Sequence, residues 1–487
     1  MSQEIRNLEP KALWNQFADL NAVPRPSKKE EQVIQFMKDF GNRLGLETFE
    51  DEIRNVIIRK PATPGMENRK PIVLQGHLDM VHQKNNDTVF DFETQGIEMY
   101  VDGDWVRAKG TTLGADNGLG VAAIMAVLES TDIPHPAIEA LFTIDEETGM
   151  TGALNLQGGI LQGQILLNLD TEEDDEIDIG CAGGIDVTAT AEYDEEDTPE
   201  GSVGYSITVK GLQGGHSGMD IHKGLGNANK IMNRLLFDGF DNFGLQIASI
   251  AGGSLRNAIP RESVAKVIIA AVYDEAFVFD MQQIVNEIKA EFKTTEPNLE
   301  IVFEKLTEVP AKVMPSIAQF YFVRSMYTAH NGVYRMSADF DNLVETSNNI
   351  AKVIVCEGQL TVQCLTRSSV ESSKMDLANA LRSAFELMGC EVEFSGAYPG
   401  WTPNPKSEIL DVLVGIYEKQ NNAKPNVVAC HAGLECGILG TNYPEMDMIS
   451  FGPTIHGAHS PDERASISSS QKFWKFFLEI LASIPAK

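Results

Sequence analysis

The sequence predicts an α/β domain with a largely parallel sheet, interrupted by an inserted α+β domain that reads as a duplicated module. Three observations carry this. The opening segment alternates strand and helix patterns, the rhythm of an α/β domain. Residues able to do chemistry sit where its strands stop, and in open α/β sheets ligands bind outside the carboxyl ends of the strands. The rhythm changes at Gly180-Cys181-Ala182-Gly183-Gly184 and returns at Tyr398-Pro399-Gly400-Trp401, which divides the 487 residues into 1–184, 185–398 and 399–487.

In order, residues 10–22 and 28–45 read as amphipathic helices parted by Pro24, Pro26 and Ser27. Strand-like segments cover 46–60, and a buried strand, Pro71 to Gln75, ends at Gly76-His77-Leu78-Asp79. Residues 84–108 read as a loop or hairpin, and Gly114-Ala115-Asp116-Asn117-Gly118 leads into a buried helix over 121–128. The apolar run Ala140 to Ile144 then stops in Asp145-Glu146-Glu147-Thr148-Gly149. Alone, it would be a strand running out into a solvated acidic turn. On an extended segment Glu146 and Glu147 point in opposite directions, so one can bind a cation while its neighbour accepts a proton. A further strand, Ile165 to Leu169, ends at Asp170, and the acidic run 172–178 reads as solvated.

The middle segment reads as strand 203–210, helix 222–237, strands 245–251 and 262–272, helix 275–293 and strand 299–305. A second series follows: helix 315–328, strands 350–356 and 359–366, helix 373–389 and strand 391–397. It resembles the first with its opening strand missing, and Asn257-Ala258-Ile259-Pro260 has a rough counterpart at Asn349-Ile350-Ala351-Lys352. The last segment resumes with helix 406–420, strand 426–430, helix 432–439, strand 446–451 and a closing helix over 468–483.

Composition narrows the classes of function. A formal charge of −31 argues against nucleic acid or an anionic membrane as partner and favours divalent cations. No apolar run approaches membrane-spanning length, and the polar start Met1-Ser2-Gln3-Glu4 has no signal-peptide pattern, so a cytoplasmic location is expected. Six cysteines at 181, 356, 364, 390, 430 and 436, with no CxxC pair, suit free thiols in a reducing compartment.

His77, Asp116, Glu147, Asp170 and His459 make a set for two divalent ions. Ions about 3.5–4 Å apart need a bridging carboxylate, and Asp116, in a glycine-rich turn at a helix mouth, is the natural bridge. His77 and Asp170 complete one shell, Glu147 and His459 the other. Imidazole with carboxylate suits two zinc ions, and cobalt or manganese can substitute. Asp79 is placed to orient His77. Glu146 is placed to take a proton from water and return it to a leaving amine. Each residue singly is more often structural; seven together at strand ends are not.

Gly76-His77-Leu78-Asp79, Gly114-Ala115-Asp116-Asn117, Glu146-Glu147-Thr148-Gly149, Asp170 and His459-Ser460-Pro461 resemble the motifs of the aminoacylase/carboxypeptidase G type of di-zinc metallopeptidase. Thr111 to Gly118 and Cys430 to Gly437 are most similar to its subgroup acting on Xaa-His dipeptides. The resemblance implies a catalytic domain interrupted by a lid, hydrolysis of unblocked dipeptides such as carnosine, and relatives that are often homodimers. It also implies that His216, in Gly214-Gly215-His216-Ser217-Gly218, stabilises an oxyanion. Asn257 and Arg367 would bind the substrate's terminal carboxylate, for which the planar guanidinium fork is suited. His431 and Glu435 would line the substrate pocket, with Glu435 meeting the free amino group.

The sequence departs from the small-lid pattern at one place. There the arginine follows the Asn-x-Ile-Pro strand; here that strand runs into Ala270-Ala271-Val272-Tyr273, and Arg367 ends the counterpart strand instead, which favours a duplicated lid. The alternatives left open are an N-acyl amino acid deacylase or tripeptidase on the same scaffold. An acidic metal-binding protein without catalysis is a third, against which Glu146 argues.

Overall fold

A computed structural model describes residues 3–487; Met1 and Ser2 of the polar start lie outside the described residues. The chain divides into two compact units. One runs to Gly180 and takes up again with Trp401–Ala429 and Leu434–Lys487; the other is Cys181–Gly400 with Cys430–Gly433. That last short stretch, inside the expected third segment, goes with the second unit.

The first unit is built on an eight-stranded sheet in the order Glu47–Glu50, Val56–Lys60, Ile138–Thr143, Ile72–His77, Ile165–Asn168, Asp447–Ser450, Glu176–Cys181, Asn426–Cys430. The four strands from Ile138–Thr143 to Asp447–Ser450 run parallel. The flanks are antiparallel, so the sheet is mixed where a largely parallel one was expected. The reason is local: the first two strands are joined by a tight turn with Arg54 at φ 84°, and a short turn can only return the chain antiparallel. The parallel strands are buried along their length, as strands covered on both faces must be. Helix Ala115–Glu129 is apolar nearly all round and buried from Leu119 to Leu128. Gly114, at φ 68°, turns the chain into it, and a Cβ there would lie 2.6 Å from Arg25 Nη2. No helix among the described residues is long and apolar enough to cross a membrane.

The second unit is an antiparallel sheet in the order Glu300–Lys305, Ser202–Lys210, Ser263–Ala270, Gln246–Gly252, Val344–Cys356, Gln359–Ser368, Gly183–Glu192, Glu391–Tyr398, with Gly332–Met336 beside Val344–Cys356. Alternate residues such as Ile185, Val187 and Ala189, or Tyr205, Ile207 and Val209, share one core with Leu235, Phe277, Val323 and Leu381 of four helices. Period-two burial means that a single face of the sheet carries that core.

Strands Glu176–Cys181, Gly183–Glu192 and Gly332–Met336 escape the sequence pattern, the second of them starting inside the expected boundary 180–184, and Val344–Cys356 begins six residues before the expected 350. The second series therefore has an opening strand, placed in the chain ahead of the first series. Taken with it, the second series has sheet order second-third-first-fourth, and the first has fourth-first-third-second. The two meet through their second strands, at Ile250 to Gly252 against Val353 to Val355. The expected helix 222–237 starts later, at Ala228, where the Asn227 side chain accepts from the N–H groups of Asn229 and Lys230.

Candidate active site

The parallel strands set the site because their carboxyl ends bring loops from distant sequence together. His77 closes Ile72–His77, Asp170 follows Ile165–Asn168, and Asp116 sits where Ala115–Glu129 begins, at non-helical φ −80° and ψ 115°. The Asp116 carboxylate is addressed from both sides: Oδ1 lies 3.1 Å from His77 Nε2, and Oδ2 lies 3.1 Å from His459 Nε2. His77 Nε2 is also 3.5 Å from Asp170 Oδ1, and His459 Nε2 is 3.0 Å from Glu147 Oε2. The donor atoms of His77, Asp116 and Asp170 fall within 4.8 Å of one another, as do those of Asp116, Glu147 and His459. Asp116 belongs to both groups.

Glu146 and Glu147 are not on an extended strand. The strand stops at Thr143, Asp145 takes a left-handed φ of 50°, and Glu146–Gly149 forms one helical turn. The two side chains part by rotation about that turn instead of by strand alternation. Asp145 anchors it by accepting from the Thr148 and Thr151 hydroxyls. Asp79, fully buried, accepts from the N–H of Glu146 at 3.0 Å and of Glu147 at 3.3 Å. Its Oδ1 is also 3.4 Å from His77 Nδ1, an ion-pair distance at which no hydrogen bond is made. Asp79 thus faces the ring and holds the turn.

The electrostatics of the cluster follows from its burial. Burial would lower the His77 pKa, but Asp170, Asp116 and Asp79 raise it well above its ordinary value. Hydrogen bonds with Asp116 and Glu147 push His459 up to about 11. Burial would raise Asp116, and the same two histidines hold it well below the usual carboxylate range. Burial, with Asp170, Glu435 and Asp116 nearby, lifts the Glu146 carboxyl well above 4.5, which strengthens its hold on a proton. Asp170 Oδ1 and Glu147 Oε1 are buried and accept no hydrogen bond. Buried carboxylate oxygens without donors are costly, and the imidazoles mark where positive charge belongs. The donor set of imidazole nitrogens and carboxylate oxygens therefore fits a pair of divalent cations, which bind by displacing protons from such groups.

Glu435 opens helix Glu435–Asn442 in the same unit and is 1% exposed. Its Oε2 accepts from Gln75 Nε2 at 2.6 Å and Thr143 Oγ1 at 2.7 Å, while Oε1 has no partner. Burial pushes its carboxyl up to about 7. His431, four residues earlier, belongs to the second unit: its Nε2 is 2.8 Å from Ser347 Oγ, and burial and Arg367 push its pKa down to about 3. Also there, His216 Nδ1 accepts from the N–H groups of Gly218 and Met219 at 3.2 and 3.0 Å, so its proton sits on Nε2 and the ring is a neutral donor. Burial and Arg367 lower its pKa in keeping with that. Arg367 is 4% exposed; its Nη1 donates to Tyr398 Oη at 2.7 Å, and among the described residues it makes no ion pair. Asn257 is exposed, its carbonyl accepts from Ser217 N, and Asn349 Nδ2 donates to the carbonyls on either side of it, at Arg256 and Ala258.

Residues 73–483 match the peptidase family M20/M25/M40. The chain belongs to this family. The cytosol non-specific dipeptidase of Escherichia coli (strain K12) is 44% identical over 488 residues, covering 99% of this chain and all of that protein. The crystal structure of aminoacylhistidine dipeptidase from Vibrio alginolyticus superposes with a TM-score of 0.96 at 45% identity, covering 100% of this chain and 99% of that one. Aminopeptidase PepT from Bacillus cereus has a TM-score of 0.57 at 16% identity over 98% of this chain and 99% of its own, and shares the fold.

Several residues of this M20-family site gave no signal in the sequence. Arg25, 1% exposed, donates to the carbonyls of Leu78 and Asp79, both at 3.1 Å, and of Gly114 at 2.5 Å. Glu463 accepts from four successive N–H groups, those of Leu113 to Asp116. Burial pushes its carboxyl up to about 7, against four donors that favour the charged form. The acidic run expected to be solvated is partly inside: burial, with Asp116 and Asp170, lifts Glu172 up to about 8, and buried Asp178 accepts from Thr171 at 2.8 Å.

Proposed function

We propose that this M20-family protein is a cytosolic metallo-dipeptidase that hydrolyses unblocked dipeptides, Xaa-His dipeptides such as carnosine among them. The observation that carries the reading is Asp116, one carboxylate with a histidine 3.1 Å from each oxygen. His77 and Asp170 would hold one divalent cation and Glu147 and His459 the other, with Asp116 shared; zinc suits this donor set. When bound, such a pair supplies Lewis-acid polarisation of the scissile carbonyl and lowers the pKa of water.

The chain's own groups do the rest. Glu146 accepts a proton from the attacking water and returns it to the leaving amine, its raised affinity for protons fitting both halves. Asp79 keeps the His77 ring and the Glu146–Glu147 turn in register. Glu435, with one oxygen unpartnered, receives the substrate's ammonium. In the second unit, His216 offers its Nε2 hydrogen to the oxyanion. Arg367 and Asn257 take the terminal carboxylate, and neutral His431 lines the pocket. A guanidinium that is buried without a carboxylate of its own supports that role.

The same reading assigns 1–184 and 399–487 to catalysis and 185–398 to a lid built by duplication. Support for duplication is the mirrored sheet order of its two halves, each strand–helix–strand–strand–helix–strand, with the first inserted after the opening strand of the second. Assembly as a homodimer belongs to the reading too. The test is hydrolysis of free, N-acylated and amidated dipeptides and of tripeptides by protein reconstituted with zinc, cobalt or manganese. Free dipeptides should be strongly preferred, because a pocket built for an amine leaves buried groups unpaired when the amine is capped. Equal turnover of free and N-acylated substrates would overturn it in favour of a deacylase.

A further inference from the structure

Three loops meet at the site, Leu78-Asp79 just after His77, Gly114-Ala115-Asp116, and His459 to Glu463, and two of them turn through residues of positive φ. Gly114 has a positive φ of 68°, as does His459 at 63°. One side chain ties four successive backbone groups of the second loop to the third. Glu463 Oε2 accepts from the N–H of Leu113 at 2.6 Å and Gly114 at 2.9 Å, and Oε1 from Ala115 at 2.7 Å and Asp116 at 3.3 Å. Both oxygens are used twice, the residue is 3% exposed, and its own N–H donates to the Ser460 carbonyl at 3.0 Å. Consecutive N–H groups wrapped on one carboxylate make an anion nest, here filled from within the chain. Arg25 grips the same loop from its carbonyl side, at Gly114, and joins it to Leu78 and Asp79.

We propose that Glu463 is a positioning residue for the shared metal ligand: its carboxylate fixes the Asp116 backbone against the His459 loop, so that Asp116 Oδ2 and His459 Nε2 are presented together before a cation arrives. Among the described residues, no hydrogen bond or ion pair joins the Glu463 side chain to any of the five ligand side chains. The proposal rests on Asp116 and His459 being ligands. A cation on the Asp116–Glu147–His459 side would take two of its three side chains from the loops that Glu463 joins. A cation on the His77–Asp170 side would take only the shared Asp116 from them. Loss of Glu463 should therefore weaken the first far more than the second.

The experiment titrates metal-free, full-length protein with zinc against a chromophoric chelator, and follows cobalt(II) binding by its visible absorption. Wild type should take up two ions. Glu463→Gln keeps the shape but turns an amide NH₂ toward N–H groups. One of the two affinities should fall about 10–100-fold, the usual cost of losing a group that holds a ligand in place. The other should be nearly retained, with an unchanged far-ultraviolet spectrum. Should this variant not fold, Glu463→Asp, which keeps the charge but withdraws it by one methylene, carries the test with the same expectation of one weakened ion. A lower melting temperature with both affinities unchanged in whichever variant folds would make Glu463 merely structural and overturn the proposal. A wild type that binds fewer than two ions would overturn the two-ion reading, and this proposal with it.

Discussion

The charged groups at the strand ends of the first unit face one another, whereas the candidate side chains of the second unit, His216, His431 and Arg367, are each held by neutral partners. Asp116, His77, His459, Glu147 and Asp170 lie within ion-pair distances, and two of their buried oxygens have no donor. His216 is held by two backbone N–H groups, His431 by Ser347, and Arg367 by Tyr398 and Ser217. On the proposed reading, the first cluster, rich in buried carboxylates, holds cations and does chemistry. The second set, single groups each with one side occupied, recognises the substrate. The difference predicts that variants in the first unit change cation content or kcat, and that those in the second leave the ions in place.

Glu146→Gln is the largest expected effect within this scheme that spares the ions. The amide cannot accept the water's proton, so kcat should fall about 10²–10⁴-fold, with two ions per chain still found by metal analysis. Loss of an ion, with activity returning in excess zinc, would move Glu146 from base to ligand. His216→Ala comes next, at about 10²–10³-fold in kcat for the loss of one oxyanion donor. Its cation content should equal wild type. If metal analysis finds an ion lost from this variant, the division between the two units breaks.

How much of this the sequence disclosed follows from how far each residue's partners lie. His77, Glu147 and Asp170 stand where apolar runs stop and Asp116 stands in a glycine-rich turn before one, and that local contrast can be read along the chain. Glu463 cannot be read this way, since its partners are about 350 positions away and are backbone groups. Arg25 is equally silent: nothing marks an arginine that will be buried among carbonyls. The strand Gly183–Glu192 was hidden because its glycines read as a boundary. Burial of Gly183 and Gly184 explains them instead: a Cβ on Gly183 would lie 2.4 Å from Gly400 N, and one on Gly184 2.6 Å from the Tyr398 ring. The paired glutamates show the opposite failure. Their separate directions were expected for a sound reason, yet the chain achieves them with a helical turn.

Arg367→Lys sharpens the comparison on the recognition side. Lysine keeps the charge but loses the planar fork. KM for free dipeptides should rise by the worth of a charged hydrogen bond, about 1.5–3 kcal/mol or roughly 10- to 150-fold. Dipeptide amides, which lack the carboxylate, should be affected little. Steady-state kinetics on matched acid and amide substrates reads this directly. A variant that keeps the full preference for the free acid would remove Arg367 from the carboxylate site.

Tyr398→Phe is the smallest change, and it tests whether the second unit's groups are held singly. The Tyr398 hydroxyl accepts from Arg367 Nη1 at 2.7 Å, and the other hydrogen bond of that guanidinium among the described residues is the weaker one from Nε to Ser217 Oγ at 3.4 Å. Removing the hydroxyl leaves the phenyl ring, and with it the packing, in place. What is lost is one hydrogen bond that orients the fork, about 0.5–1.5 kcal/mol. If Arg367 is held mainly by Tyr398, KM for the free acid should rise roughly 2- to 10-fold. The amide, the kcat and the cation content should stay as in wild type. The double variant, Arg367→Lys with Tyr398→Phe, should then be no worse than Arg367→Lys alone, because the hydroxyl acts only through the guanidinium. Additive losses would show that Tyr398 meets the substrate itself, and the second unit would then be a connected network, no longer a set of separately mounted donors.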